Sequence, residues 1–318
     1  MHDVYLQVQC LKLQSKILSM ETIEIKNLTR FTEDLKRLLR CPPRYNYTLQ
    51  ELERVRLHAC CNATGTLYLT KQNTPLNHSI SYETNSRVKR RVDSDLYAML
   101  PEEFPWSGGN LRRCAVVGSG GILKNSSCGE EINNSDFVIR FNLAPVNDSD
   151  VGVKTDLITI NPSQIRRDYK NFKKDPGPLL QDLSVYGNAS VLMPAFSYTY
   201  NTAISVSIHE TLWPQQVVVF FSPFYLKTLA QFWSWRGLKA VRLSTGFMLI
   251  NVAMELCDDV HIYGFWPFDI NLDQQPIFHH YFDNAAPKKG VHKMPEEFLR
   301  LLQLHSQGVL TMHLQPCL

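Results

Sequence analysis

Three stretches of the sequence bring together residue types that could do chemistry. In the first, the apolar run Cys114-Ala115-Val116-Val117 leads into Gly118-Ser119-Gly120-Gly121. Glycines let a backbone approach a ligand closely, and a helix starting after the turn would offer free N–H groups to a phosphate. Leu123 stands where G-x-G-x-x-G needs its third glycine, so a dinucleotide fold is open but not specified. In the second, Leu243-Ser244-Thr245-Gly246-Phe247 opens an apolar helix that ends near Cys257. Its hydroxyls either cap that helix or, with its N–H groups, hold an anionic or carboxylate-bearing ligand. In the third, His279-His280-Tyr281-Phe282-Asp283 is followed by His292-Lys293-Met294-Pro295-Glu296. Pro295 keeps His292 and Glu296 off one regular helical face, which argues against a metal pair. Histidine can instead take a proton from an attacking hydroxyl or assist a departing phosphate near neutral pH. Asp93-Ser94-Asp95 and Asp148-Ser149-Asp150 match a metal-holding Asp-x-Asp pattern, but both lie in polar sequence and read as ordinary turns.

These residues need a scaffold. Cys114–Val117, Phe137–Phe141, Leu157–Ile160, Val191–Met193, Val217–Phe221 and Val260–Tyr263 are short apolar runs, several of them continuous, as in strands buried on both faces. Helix-length stretches alternate with them, notably Thr245–Leu256 and Pro295–His305. The expected fold class is α/β, a mostly parallel sheet with helices on both faces. Residues 1–60 read as a stem or accessory helical region, with Leu35, Leu38 and Leu39 as an apolar stripe ended by Cys41-Pro42-Pro43. Residues 61–318 read as the catalytic domain, with a nucleotide-binding core at 111–318. Within it, 62–110 is loop-rich, with Asn73-Thr74-Pro75 and the stretch from Pro101 to Gly109 as breakers. The cluster Arg87-Val88-Lys89-Arg90-Arg91 is either a solvated basic loop or a site for a basic-residue-specific protease.

The chain has 318 residues, is 44% hydrophobic and 20% charged, and carries a net charge of +3. That supports a sizeable core and gives no reason to expect nucleic acid as a partner. No apolar run is long enough to span a bilayer, and the opening residues are not a signal peptide. Eight Asn-x-Ser/Thr sequons, beginning at Asn27, Asn46, Asn62, Asn77, Asn125, Asn133, Asn147 and Asn188, nevertheless point to a luminal protein. So do eight dispersed cysteines without a C-x-x-C pair, which suit disulfides better than zinc. The expectation is that a targeting segment precedes Met1.

The segment from Arg113 through Gly118-Ser119-Gly120-Gly121 to Arg140-Phe141-Asn142-Leu143-Ala144-Pro145 resembles the long sialyl motif of animal sialyltransferases. Leu243-Ser244-Thr245-Gly246 through Tyr263-Gly264-Phe265-Trp266-Pro267-Phe268 resembles their short motif. His280-Tyr281-Phe282-Asp283 is similar to the third, and His292 through Glu296 to the very short one. The Gly264-Phe265-Trp266-Pro267-Phe268 string, and Cys60-Cys61 followed by Thr70 to Pro75, look closest to the α2,8-sialyltransferases. Within these they resemble the branch that adds one or a few sialic acids to gangliosides or O-glycans.

The resemblance implies a GT-A-like, Rossmann-type fold in a type II membrane glycoprotein of the Golgi, its anchor lying outside this sequence. It implies metal-independent, inverting transfer from CMP-sialic acid, without a cofactor, to the 8-hydroxyl of a sialylated glycolipid or glycoprotein. His292 would be the general base and His280 would assist the phosphate. Gly118, Ser119, Gly120, Gly121, Asn142, Ser244, Thr245, Gly246, Gly264, Phe265 and Trp266 would bind the donor. The implied disulfides are Cys114–Cys257 and Cys128–Cys317, and the pairing of Cys10, Cys41, Cys60 and Cys61 stays open. A homodimer is the assembly considered. Two positions depart from the α2,8 pattern: Ser119 stands where these enzymes usually carry Asn, and Phe141 where they usually carry Cys. The first bears on donor affinity, because a hydroxyl is shorter than an amide and offers one donor instead of two. The competing functions are a catalytically inactive glycan-binding protein of the same fold and, on the glycine turn alone, a dinucleotide-dependent oxidoreductase.

Overall fold

The computed structural model describes residues 2–42, 45–104, 111–285 and 292–317. Pro43 and residues 105–109 of the expected breaker segment lie outside them. The chain begins with three helices, α1 (His2–Ser19), α2 (Leu28–Leu38) and α3 (Tyr47–Cys60), followed by a single turn, α4 (Ala63–Thr66). Asn27 and Asn46 start α2 and α3 by accepting the Arg30 and Leu49 amides on their side-chain oxygens. A small antiparallel ribbon, β1 (Ser79–Ser81) and β2 (Lys89–Arg91), precedes α5 (Ser94–Met99). The basic cluster thus lies partly in an exposed strand, where Arg90 pairs with Asp93 and Arg91 donates to Asn77.

The α/β part of the chain then runs in order: β3 (Leu111–Val117), α6 (Gly129–Asn133), β4 (Phe137–Phe141), β5 (Leu157–Thr159), α7 (Pro162–Asp168), α8 (Gly177–Ser184) and β6 (Ser190–Met193). It continues through α9 (Thr202–Leu212), β7 (Val218–Phe220), α10 (Pro223–Trp235), α11 (Thr245–Leu256), β8 (Cys257–Tyr263), α12 (Met294–Ser306) and β9 (Thr311–His313). The seven strands β3 to β9 form one wholly parallel sheet in the order β7-β6-β5-β4-β3-β8-β9. Strand β9 is absent from the sequence expectation, because three residues of alternating burial leave no apolar run to see. Parallel strands need crossovers, which is why helices cover both faces.

Side chains of β3 alternate accordingly. Cys114 and Val116 join the core under α11, while Ala115 and Val117 join a smaller cluster with Ile132 of α6. Helix α11 is buried nearly all round, from Phe247 to Leu256, as expected of a helix apolar on every side. Helices α1 to α3 share this core: Ile17, Phe31, Leu35 and Leu57 belong to the same cluster as Phe247 and Leu302. Phe31 meets Phe268 edge-on at 5.8 Å and Phe298 at 6.1 Å. Helices α1 to α3 are therefore a packed layer continuous with the sheet's own core.

Four disulfides tie these layers. Cys114–Cys257 links β3 to the start of β8, and Cys128–Cys317 links α6 to the segment after β9. Cys10 and Cys41, whose pairing the sequence leaves open, join α1 to the segment after α2, and the neighbours Cys60 and Cys61 are bonded to each other. No described helix is long and apolar enough to cross a membrane.

The chain winds outward from β3 to β7 and then returns to place β8 on the other side of β3. Ligands in open parallel sheets bind at the strand C-termini where the order reverses in this way. Here that is the crevice between Val117 and Tyr263, which are register partners.

Candidate active site

A cavity of about 530 Å³ opens at this crevice. Its wall includes Gly118, Ser119 and Gly120 after β3, Asn142 after β4, and Gly264, Phe265 and Trp266 after β8. Ser244, Thr245 and Gly246 at the start of α11 complete it, with His280 and His292. Segments from Gly118 to His292 thus converge, because the sheet aligns the ends of β3, β4 and β8 and the start of α11 faces them.

The glycine turn differs from the expected helix-borne phosphate cradle. After Gly120 the chain makes only a one-turn 3₁₀ helix, Gly121–Leu123. Three of the four turn amides are spent inside the protein: Gly118 N donates to Tyr263 O (2.8 Å), Gly120 N to Gly264 O (2.9 Å) and Gly121 N to His279 O (3.0 Å). Among the described residues, the Ser119 amide and hydroxyl have no protein partner and remain for a ligand. Gly121 does not line the cavity. A Cβ there would lie 1.9 Å from Phe278 O, so its role is to let the 278–281 strap press against the turn. Tyr281 N donates back to Ser119 O at 3.1 Å, and Gly120 and His280 pair as an isolated antiparallel bridge. The glycine turn therefore positions His280 as well as any ligand.

His280 Nδ1 donates to Asp283 Oδ1 at 2.8 Å, which leaves Nε2 for other partners. Burial works to raise the Asp283 carboxyl, but the Ala285 amide and the neighbouring His280 and His279 outweigh it and hold it below the usual range. The His279 imidazole is pushed down by burial and by the charge of His280.

His292 is exposed at the cavity's rim. Its Nδ1 lies 2.9 Å from Arg242 O. A carbonyl can only accept, so Nδ1 carries the hydrogen and Nε2 of the neutral ring is free to take a proton.

At α11 the N-terminus already holds an anion. Glu297 of α12, only 3% exposed, accepts the Ser244 amide at 2.7 Å and the Ser244 hydroxyl at 2.5 Å, while Ser244 Oγ also accepts the Phe247 amide. Ser244 thus works as a cap and a clasp, leaving Thr245 and Gly246 facing the cavity. Burial pushes the Glu297 carboxyl up, against the pull of its Ser244 bonds and of His292. Glu296, the acidic residue that ends the very short motif, instead pairs with Lys293 at the surface. The readable signal for its neighbour was position: Glu297 lies four and seven residues before Leu301 and Leu304, on the apolar face of α12.

Asn142 adopts a left-handed backbone (φ 54°) and accepts the Asn161 amide on Oδ1 at 3.1 Å. Phe265 meets Phe141 edge-on at 6.3 Å. Trp266 is buried and gives its indole N–H to Ile270 O, so it contributes an apolar wall. Asn161, Ser163 and Phe298 also line the cavity, although no motif in the sequence marks them.

The Asp-x-Asp triplets are structural. Asp93 caps α5 through the Leu96 amide, and Asp150 accepts the Asn125 and Ser127 amides. Elsewhere, Glu131, His261 and His313 bring their ligand atoms within 4.8 Å of one another. The Arg113 guanidinium lies 3.0 Å from both Glu131 and His261, making this an ionic network that joins β3, β8, β9 and α6. Burial, with the charges of His261 and Arg113, pushes His313 down to about 3. None of these side chains lines the cavity.

Residues 64–309 match the family described as glycosyltransferase family 29 (sialyltransferase). The chain is 43% identical over 301 residues to alpha-2,8-sialyltransferase 8F of Mus musculus, covering 91% of this chain and 75% of that protein. It is 39% identical over 319 residues to alpha-2,8-sialyltransferase 8E of Homo sapiens, covering 98% and 85%. Among solved structures, that of a mammalian sialyltransferase matches at 21% identity and a TM-score of 0.48, over 91% of this chain and 86% of the other.

Proposed function

The chain belongs to glycosyltransferase family 29, the sialyltransferases, and we propose that it transfers sialic acid from CMP-sialic acid to the 8-hydroxyl of a terminal sialic acid on a glycolipid or glycoprotein. Membership of the family makes it a glycosyltransferase; the α2,8 linkage follows from its likeness to relatives bearing that name. The observation that carries the reading is the meeting of Ser119, Thr245, His280 and His292 around one cavity at the β3/β8 crevice.

The acceptor's 8-oxygen attacks the anomeric carbon of the donor sugar as the bond from that carbon to the CMP phosphate oxygen breaks, with inversion. His292 Nε2 takes the proton from the attacking hydroxyl. The charge left on the phosphate is met by His280 Nε2, the Ser119 amide and hydroxyl, and the Thr245 hydroxyl with the Thr245 and Gly246 amides. Asn142 and the Phe265 ring flank the nucleotide. No step calls on a metal, since the leaving group carries a single phosphate. We assign the chemistry to residues 61–318, supported by helices α1 to α3. The compartment we assign is the Golgi lumen, whose oxidising chemistry suits four disulfides.

The test is incubation with CMP-sialic acid and matched sialylated glycolipid and glycoprotein acceptors, with linkage analysis of the product. An α2,8-linked product on a sialylated acceptor is expected. CMP release without any such product across the panel would overturn the proposal.

A further inference from the structure

The active-site cavity continues past His292. A second hollow of about 170 Å³ shares Asn161, Ser163, Thr245 and His292 with the first, and extends to Tyr198, Tyr200 and two arginines. The two arginines differ in a way that matters. Arg242 is matched by Glu83 at 3.0 Å and donates to Ser197 Oγ. Arg166 forms no ion pair with any described acidic residue. Its guanidinium donates to Tyr200 O (3.0 Å) and Asn201 Oδ1 (3.4 Å) and lies 4.9 Å from the centre of the Tyr200 ring. Tyr200 in turn stacks on Tyr198 at 5.1 Å and 16°.

This arrangement has the parts of a carboxylate site. Two of the five guanidinium N–H groups are used to hold the side chain still, which leaves donors for a planar anion. The stacked tyrosines give an apolar floor for a sugar face. A third hollow of about 340 Å³ shares Arg166 and Tyr200 with the second, and its wall carries Lys170, Lys173 and Lys174 and no acid. Its field favours anions approaching from that side. A donor bound between Ser119 and Thr245 leaves this side of His292 for the acceptor.

Building on the transfer reaction above, we propose that Arg166 binds the carboxylate of the acceptor's terminal sialic acid, setting its 8-hydroxyl at His292. Arg166 then determines why an acidic sugar, rather than a neutral one, is extended.

The test pairs a change in the protein with a change in the acceptor. A sialyl-oligosaccharide and its methyl ester are compared on the native chain, Arg166→Met and Arg166→Lys. The native enzyme should show an acceptor KM about 10- to 100-fold lower for the free acid than for the ester, the scale of a charge-assisted hydrogen bond. Arg166→Met should collapse that ratio towards one, with the change falling on acceptor KM rather than donor KM, and Arg166→Lys should restore part of it. A ratio left intact in Arg166→Met overturns the assignment. Acceptor binding read by ligand-observed NMR with CMP present follows the same contrast without turnover. Acid-selective binding that depends on Arg166, without transfer, would sink the transferase reading alone. Transfer that ignores Arg166 would sink this inference alone.

Discussion

The Glu297 carboxylate closes the N-terminus of the helix that begins at Thr245, taking both the amide and the hydroxyl of Ser244 at 2.7 and 2.5 Å. An internal anion thus occupies part of what looks, from sequence, like a ligand's place. It anchors α12 to α11 and holds His292, five residues earlier in the chain, close to the same helix start.

That clasp has a pH signature. Burial holds the Glu297 carboxyl above its ordinary value of 4.5. The folded chain then keeps this proton longer than the unfolded one. The associated stability is full below 4.5 and is lost as pH rises through the raised value. Glu297→Gln removes the titration while retaining a donor and an acceptor. Its Tm relative to the native chain should move upward as pH increases from about 4.5 to 7; a difference independent of pH would contradict this sign.

His292 and His280 should separate by what they leave behind. His292→Ala is expected to lower kcat by about 10²–10⁴-fold, the usual worth of a general base, while CMP binding by calorimetry persists. His280→Ala should weaken CMP binding as well as slow transfer. Loss of CMP binding in the first variant, or unchanged kinetics in the second, would reverse the two roles or remove them.

Ser119 is the turn residue with unspent donors, since the Gly118, Gly120 and Gly121 amides are all bonded within the protein. Ser119→Ala keeps the amide and deletes the hydroxyl. CMP affinity should fall by about 5- to 10-fold, as for one neutral hydrogen bond of about 1 kcal/mol. Titration with CMP checks it, and equal affinity would take the hydroxyl out of the donor site.

Gly121 tests the turn as a support for His280. Its added methyl in Gly121→Ala would meet Phe278 O, and backbone cannot swing aside as a side chain can. A loss of about 1–3 kcal/mol in urea denaturation is expected from such overpacking. Activity should drop further than stability accounts for, because the displaced strap carries His280. Native stability with native kcat would show that the strap yields without cost.

Much of the scaffold is legible in local sequence because its physics is local. The continuous apolar runs at Cys114–Val117 and Val191–Met193 announce strands covered on both faces, and the Ser244 cap announces a helix start. The same runs account for the parallel sheet, whereas the crevice at its reversal exists only because β8 docks beside β3. Histidines clustered before Asp283 and at His292 signal proton chemistry by residue type alone.

What tertiary structure decided is which groups remain free. Local spacing cannot reveal that carbonyls of Tyr263, Gly264 and His279, some 140 to 160 residues away, consume three amides of the glycine turn. Nor can it tell Glu296 from Glu297, because burial of one carboxylate depends on where α12 docks. Arg242 and Arg166 are alike in sequence, yet only the fold brings Glu83 to the first. Sequence determines residue chemistry and the periodicity that buries it, whereas the pairing of polar groups across distant segments exists only once the chain is packed.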